Sequence, residues 1–372
     1  FRGIIVTHEK NHDCNEPEFC IFVNEKKIML KGKTGVLLVN LGTPDNPGRG
    51  AVYRYLKQFL LDRRVIDIPW LGRQLLVRGI IAPFRSGSSA KLYQKLWTPK
   101  GSPIKVFGFS VAEKLQEKLG ADYSVVLAMR YQQPSIESAL RKLIFEDKVC
   151  EIIVFPMFPQ YASATTGSVH DEVMRVLRQW EVIPNLRLIN SYPVHPEMIE
   201  VFANHAKKMD LGAYDHFIFS FHGVPQRHVK KADPSAQHCL KVKDCCLQLN
   251  ENNQFCYSAQ CYRTAQSIAQ NLHIPPEKFS VTFQSRLGRD PWLQPYTDQT
   301  LEALLANGKK SILVFSPAFV ADCLETTIEI GFEYKENFMH KGGERLDLVE
   351  SLNDDTLWVE AIASMVAPKI AK

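Results

Sequence analysis

The stretch DHFIFSFHGVP, residues 215–225, is an apolar run that stops at an imidazole and then turns through Gly223 and Pro225. A β-rich run ending this abruptly reads as a strand that delivers one side chain, His222, to its end. An earlier stretch, TGVLLVNLGTP at 34–44, has the same form, with NLGTP standing where FHGVP stands later.

Working outward from these two runs, short apolar segments alternate with longer amphipathic ones. YSVVLAMRYQQP, CEIIVFPMFPQYASATTGS and NLRLINSYPVHP follow the first run, separated by the helical patterns VYRYLKQFLLD, SIESALRKLIFE and HDEVMRVLRQW. FSVTFQSRLGRDPW, SILVFSPAFVADCLETT and RLDLVESLNDD follow the second. Continuous apolar strands alternating with helices predict a parallel sheet covered on both faces. AMRYQQP lines up with QSRLGRDP and VFPMFPQYASATT with VFSPAFVADCLETT, so the order is an internal repeat. The expected fold is α/β, with two Rossmann-like doubly wound lobes whose parallel sheets face each other across a cleft. The expected boundaries are an N-terminal tail at 1–33, lobe 1 at 34–190, lobe 2 at 191–350 and a C-terminal helix at 351–372. Ligands of open parallel sheets bind at the carboxyl ends of strands, where the distinctive segments of both halves lie.

The chain has 372 residues, 45% of them hydrophobic, enough for two lobes with a core. A formal charge of +5, with no Lys/Arg tract interleaved with aromatics, argues against a nucleic-acid groove. No apolar stretch reaches the roughly 18 residues that span a bilayer, and the start of the chain lacks a signal-peptide pattern, so a cytoplasmic chain with reduced thiols is expected. Residues 1–33 read as a tail, or as sequence upstream of a start at Met29.

Three places carry chemistry. His222 carries an imidazole, the side chain whose unperturbed titration lies nearest neutrality and so suits acid/base work. Glu325, Glu329 and Glu333 recur every four residues, which on a helix makes one acidic row; like charges so spaced cost stability. A solvated face is the ordinary fate of such a row. The apolar flanks FVADCL and IGF start this one at the cleft, from which carboxylates could pass protons outward or divalent cations inward. Neither a P-loop nor a GxGxxG after a strand is present. The third place is HCLKVKDCCLQLNENNQFCYSAQC, with Cys239, Cys245, Cys246, Cys256 and Cys261 in two dozen residues. That density favours a metal site, and its spacing leaves zinc and an iron–sulfur cluster open.

NLGTP, YLKQFLLDRRVID, KLYQKLW followed by GSPI, FPQYASATTGS, SFHGVPQR, TFQSRLGRDPWLQPYTDQTL and DCLET, in this order, resemble the ferrochelatases. The resemblance implies insertion of ferrous iron, as substrate, into protoporphyrin IX, the last step of haem synthesis. His222 matches the family's histidine, which accepts pyrrole protons, binds iron, or both. Glu325 matches the opposing glutamate, with Glu329 and Glu333 as a relay behind it for metal or protons. Arg130, Tyr131, Trp292 and Phe319 match positions lining the porphyrin. Cys323 stands where some relatives have histidine, which puts a second imidazole for iron in doubt. Residues 67–86 match a hydrophobic lip at the cleft mouth, whose arginines and apolar residues suit peripheral contact with the inner membrane. The cysteine-rich insert at 239–261 resembles a bacterial group with an internal [2Fe–2S] cluster; Cys239, Cys246, Cys256 and Cys261 are the expected ligands, with Cys245 as the alternate. Such a cluster would be structural or sensory, since metal insertion transfers no electrons. Rival readings are a chelatase for another metal and tetrapyrrole, and a non-catalytic haem- or metal-binding protein.

Overall fold

The computed structural model describes residues 20–23, 26–29, 32–286, 288 and 290–367. Strands β1 (Cys20–Val23) and β2 (Lys26–Met29) form an antiparallel pair of their own within the expected tail. Lobe 1 is built on β3 (Thr34–Gly42), β4 (Tyr123–Tyr131), β5 (Glu151–Pro156) and β6 (Asn185–Leu188), all parallel, in the order β4-β3-β5-β6. Lobe 2 repeats the arrangement with β7 (His216–His222), β8 (Phe279–Gln284), β9 (Ser311–Phe315) and β10 (Arg345–Leu348), parallel, in the order β8-β7-β9-β10. In both sheets the first strand is central and the second flanks it on the side away from the third. All eight strands expected from the repeat form.

The apolar runs are continuous because both faces of each strand are covered. Along β3, Val36 and Leu38 enter a core between the two sheets, while Leu37 and Val39 enter a second core on the outer face. Along β7, Phe217, Phe219 and Phe221 enter the same inner core, and Ile218 faces an outer one with Ile312 and Val314 of β9. The alternation is the period-2 geometry of a strand acting on a sequence that is apolar at every position. One hydrophobic core therefore spans both lobes.

The expected boundary near 190 falls between β6 and the helix Pro196–Lys207. The last helix is described over Thr356–Val366, and residues 368–372 of the span expected for it lie outside the described residues. It packs on Pro196–Lys207 and on Pro103–Leu119 of lobe 1, where Lys114 pairs with Asp354 at 2.7 Å. The segment expected to form the lip is the helix Trp70–Leu75, a π-helical turn Leu76–Ile81 and the start of the helix Ala82–Leu96. Its Trp70, Leu71, Leu75, Ile80 and Phe84 are exposed. Arg78 and Arg85 are exposed beside them, as an outer basic face requires, whereas Arg73 is buried and turned inward.

Candidate active site

The site is assembled at the carboxyl ends of β7, β8 and β9. His222 is the last residue of β7 and is half-buried. Its Nδ1 lies 2.7 Å from the carbonyl of Gly223; a carbonyl only accepts, so Nδ1 carries a hydrogen and Nε2 is the ring nitrogen not engaged by this bond. The Tyr257 hydroxyl donates to the His222 carbonyl at 2.8 Å. Gly223 is required by close approach: a Cβ there would lie 2.8 Å from the Gln284 carbonyl oxygen and 3.2 Å from the Trp292 ring. Trp292 is thus placed against the turn that follows His222, and the Phe319 ring stands edge-on to the imidazole at 6.4 Å.

Gln284, at the end of β8, is the strand partner of His222. Its amide donates to the Glu325 carbonyl at 3.3 Å and to Glu329 Oε2 at 3.4 Å. Both glutamates belong to an eleven-residue π-helix, Leu324–Tyr334, that follows β9. Such helices are bonded i→i+5 and occur mostly as single-turn bulges at functional sites, so one of this length is unusual. Its wide turn keeps Glu325, Glu329 and Glu333 near one face, half-buried at the first two and exposed at the third. The acidic row therefore runs from the interior to the surface.

Glu329 accepts from Ser285 Oγ at 2.5 Å and from the Tyr334 hydroxyl at 3.1 Å. Burial pushes its carboxyl up from the usual range; the Ser285 bond and the field of His222 oppose the rise, and Glu325 adds to it. A cavity of about 220 Å³ lined by Ser285, Arg286, Asp298, Glu329 and Tyr334, among others, opens beside it. Burial and the neighbouring Glu325 push the Cys323 thiol well above its usual value. Burial, reinforced by Glu325, does the same to the Tyr55 hydroxyl of lobe 1. Leu324 and Ile328 of the same π-helix pack with Tyr55 and Tyr93, so Glu325 lies at one of the places where the two lobes meet.

Arg130 and Tyr131 end β4 in a separate network. Arg130 Nη2 donates to Asp62 Oδ2 at 2.7 Å and its Nε to Ser168 Oγ at 2.7 Å. The Tyr131 hydroxyl donates to the same Asp62 oxygen at 2.9 Å, and Tyr131 is wholly buried. The fold therefore brings His222, Glu325, Glu329 and Phe319 together, with Trp292 behind the turn, and sets Arg130 and Tyr131 around Asp62. Asp62, Ser168, Tyr257, Gln284 and Ser285 were not singled out from the sequence. Only Asp62 had a local signal, an acid beside two arginines.

In the insert, Cys239, Cys246, Cys256 and Cys261 are buried and Cys245 is half-buried. Cys246 Sγ donates to Ser258 Oγ at 3.2 Å, and the sulfurs of Cys245 and Cys246 are 3.7 Å apart. Cys261 lies against Tyr257 and within the field of Cys246. Burial pushes the Cys239 thiol up to about 11. Among the described residues, no three His, Cys, Asp or Glu side chains are disposed to close on a single metal ion. The thiols are gathered and buried without such a centre, so as a donor set they fit thiolate ligation, which would have to draw them onto the metal and displace their protons.

A family model described as Ferrochelatase matches residues 33–370. A ferrochelatase of Legionella pneumophila (strain Paris) is 42% identical over 339 residues, covering 91% of this chain and 100% of the relative. One from Coxiella burnetii (strain Dugway 5J108-111) is 44% identical over 341 residues, covering 91% and 94%. Among solved structures, SirB from Bacillus subtilis with Fe3+ superposes over 90% of this chain and 94% of its own, with a TM-score of 0.48 and 12% identity.

Proposed function

This chain belongs to the ferrochelatase family, whose members insert ferrous iron into protoporphyrin to form haem, and from that premise we propose which of its residues carry the reaction. Two pyrrole N–H protons leave as one Fe2+ enters, so the site needs a base on the ring and an oxygen-lined route for the metal or the protons. His222 is the base. The observation that carries this is the ring's hydrogen bond: Nδ1 is spent on the Gly223 carbonyl, so Nε2 is the nitrogen left to take a proton or meet iron.

Glu325 acts next to the ring, and Glu329 and Glu333 relay between it and solvent. A carboxyl pushed up by burial, as in Glu329, sits closer to neutrality and exchanges protons more readily there. Phe319 and Trp292 shape the pocket beside the imidazole. Arg130 and Tyr131 support the opposite wall through Asp62. His222→Ala tests the assignment by insertion of zinc or ferrous iron into free porphyrin: activity is abolished with circular dichroism unchanged, and a folded variant with near-normal turnover removes His222 from the mechanism.

The insert holds a [2Fe–2S] cluster through Cys239, Cys246, Cys256 and Cys261, with Cys245 as the alternate fourth ligand. Its role is structural or sensory: Cys256 immediately precedes the helix Tyr257–Asn271, whose Tyr257 donates to the His222 carbonyl. Aerobic purification tests this; a red-brown protein with thiolate-to-iron absorption supports the cluster, and a colourless one with stoichiometric zinc overturns it. The exposed apolar lip meets the inner membrane peripherally from the cytoplasmic side, where a greasy porphyrin is received. No helix among the described residues is long and apolar enough to cross a membrane.

A further inference from the structure

Beneath the lip is a pocket of about 570 Å³ lined by Arg63, Arg64, Asp67, Ile68, Arg73, Ser163, His228 and Lys231. Its volume falls in the range of small-molecule sites. None of these residues belongs to the set around His222 and Glu325. Four permanent cations line it against one carboxylate. Asp67 is shared by Lys231 at 2.7 Å and Arg227 at 2.6 Å, with His228 at 3.4 Å. Just outside, Asp171 is shared by Arg63 at 3.0 Å and Arg64 at 3.1 Å.

Arg73 has no carboxylate partner among the described residues. It is 9% exposed, its Nη1 donates to the carbonyls of Ile66 and Ile68 at 3.1 and 3.0 Å, and its Nε is buried with no hydrogen-bond partner among the described residues. A buried guanidinium left without an anion is costly, and the rule that buried charges are paired points to a partner that is not part of the chain. Donors reach the pocket from Arg64 and Arg73 of lobe 1 and from Lys231 of lobe 2. Converging cations from several directions suit an anion with more than two acceptor oxygens, which distinguishes a phosphate from a carboxylate.

We propose that this pocket is a second ligand site, separate from the porphyrin cleft, that binds a phosphate-type oxyanion against Arg73, Arg64 and Lys231. Arg73 lies in the same helix as the exposed Trp70, Leu71 and Leu75. The phosphate can therefore come from an anionic lipid headgroup under the lip or from free solution.

The test is calorimetric titration of the intact protein with inorganic phosphate at constant ionic strength, with and without porphyrin. Saturable binding that weakens at least tenfold in Arg73→Gln and in Lys231→Gln, about 1.4 kcal/mol, and stays unchanged in the surface control Lys309→Gln supports the site. Lys231 is exposed, so its variant serves if Arg73→Gln does not fold. Sedimentation with phosphatidylglycerol and phosphatidylcholine vesicles separates the two sources. Loss of phosphatidylglycerol binding in Lys231→Gln identifies the headgroup, and vesicle binding that survives the loss of phosphate binding identifies the free ion. No saturable binding, equal binding in both variants, or displacement of phosphate by porphyrin overturns the proposal.

Discussion

Replacing Asp62 by Asn removes the one charge that Arg130, Tyr131 and Ser168 share. The carboxylate is 5% exposed and the guanidinium 13%, so neither is rescued by water. Breaking a buried pair from one side costs about 3–5 kcal/mol, because it strands the partner's charge. Two features place the cost near 3 kcal/mol. Asparagine keeps an acceptor for one of the bonds, and Glu172, 3.9 Å from Arg130 Nη1, offsets part of the lost charge. Equilibrium urea unfolding of Asp62→Asn, Arg130→Met and the double variant measures this. The double variant should recover about 1–2 kcal/mol against the sum of the singles, since it removes the stranded charge as well. Porphyrin KM should rise little in Asp62→Asn at temperatures where it is folded, because on this reasoning the network supports the wall and does not touch the ring. A loss below about 1 kcal/mol, or strict additivity in the cycle, would refute the reasoning and leave Arg130 free to contact substrate.

Glu325→Gln should slow metal insertion far more than Glu329→Gln or Glu333→Gln in a steady-state zinc insertion assay; three silent changes would make the row an ordinary helix face. Glu329→Gln should at the same time stabilise the fold at neutral pH. Its carboxyl is raised in the folded state, so the folded chain binds the proton more tightly, and stability falls as pH rises from the ordinary glutamate range through the raised value. Denaturation midpoints across pH 4–8 should show that decline in the wild type and a shallower one in the variant. Gly223→Ala forces a Cβ against the Gln284 carbonyl and should cost about 1–3 kcal/mol together with at least tenfold in turnover, checked by thermal melts and activity. Serine at any one of Cys239, Cys246, Cys256 or Cys261 should bleach the purified protein and depress activity through the Tyr257–His222 link; full activity in a bleached variant would make the insert a plain surface excursion.

The eight strands, their division into two equivalent sets and the strand-end position of His222 were legible in the order of residues. Those features are local: apolar continuity marks a strand buried on both faces, and His-Gly-x-Pro ends a strand at its histidine. The spacing of Glu325, Glu329 and Glu333 was legible for the same reason, since one helix sets it. The tertiary structure alone decided what those groups meet. That Gln284 holds Glu329 depends on β8 lying beside β7, and the Tyr257 bond to the His222 carbonyl closes a gap of 35 positions. The Arg130–Asp62 pair spans 68 positions. Arg73 reads in sequence as one more cation on a basic lip, yet it is turned inward to the carbonyls of Ile66 and Ile68. Its partners stand only seven and five positions away, but whether a long side chain turns to such carbonyls or to solvent is set by how the segment packs, which the order of residues alone does not give.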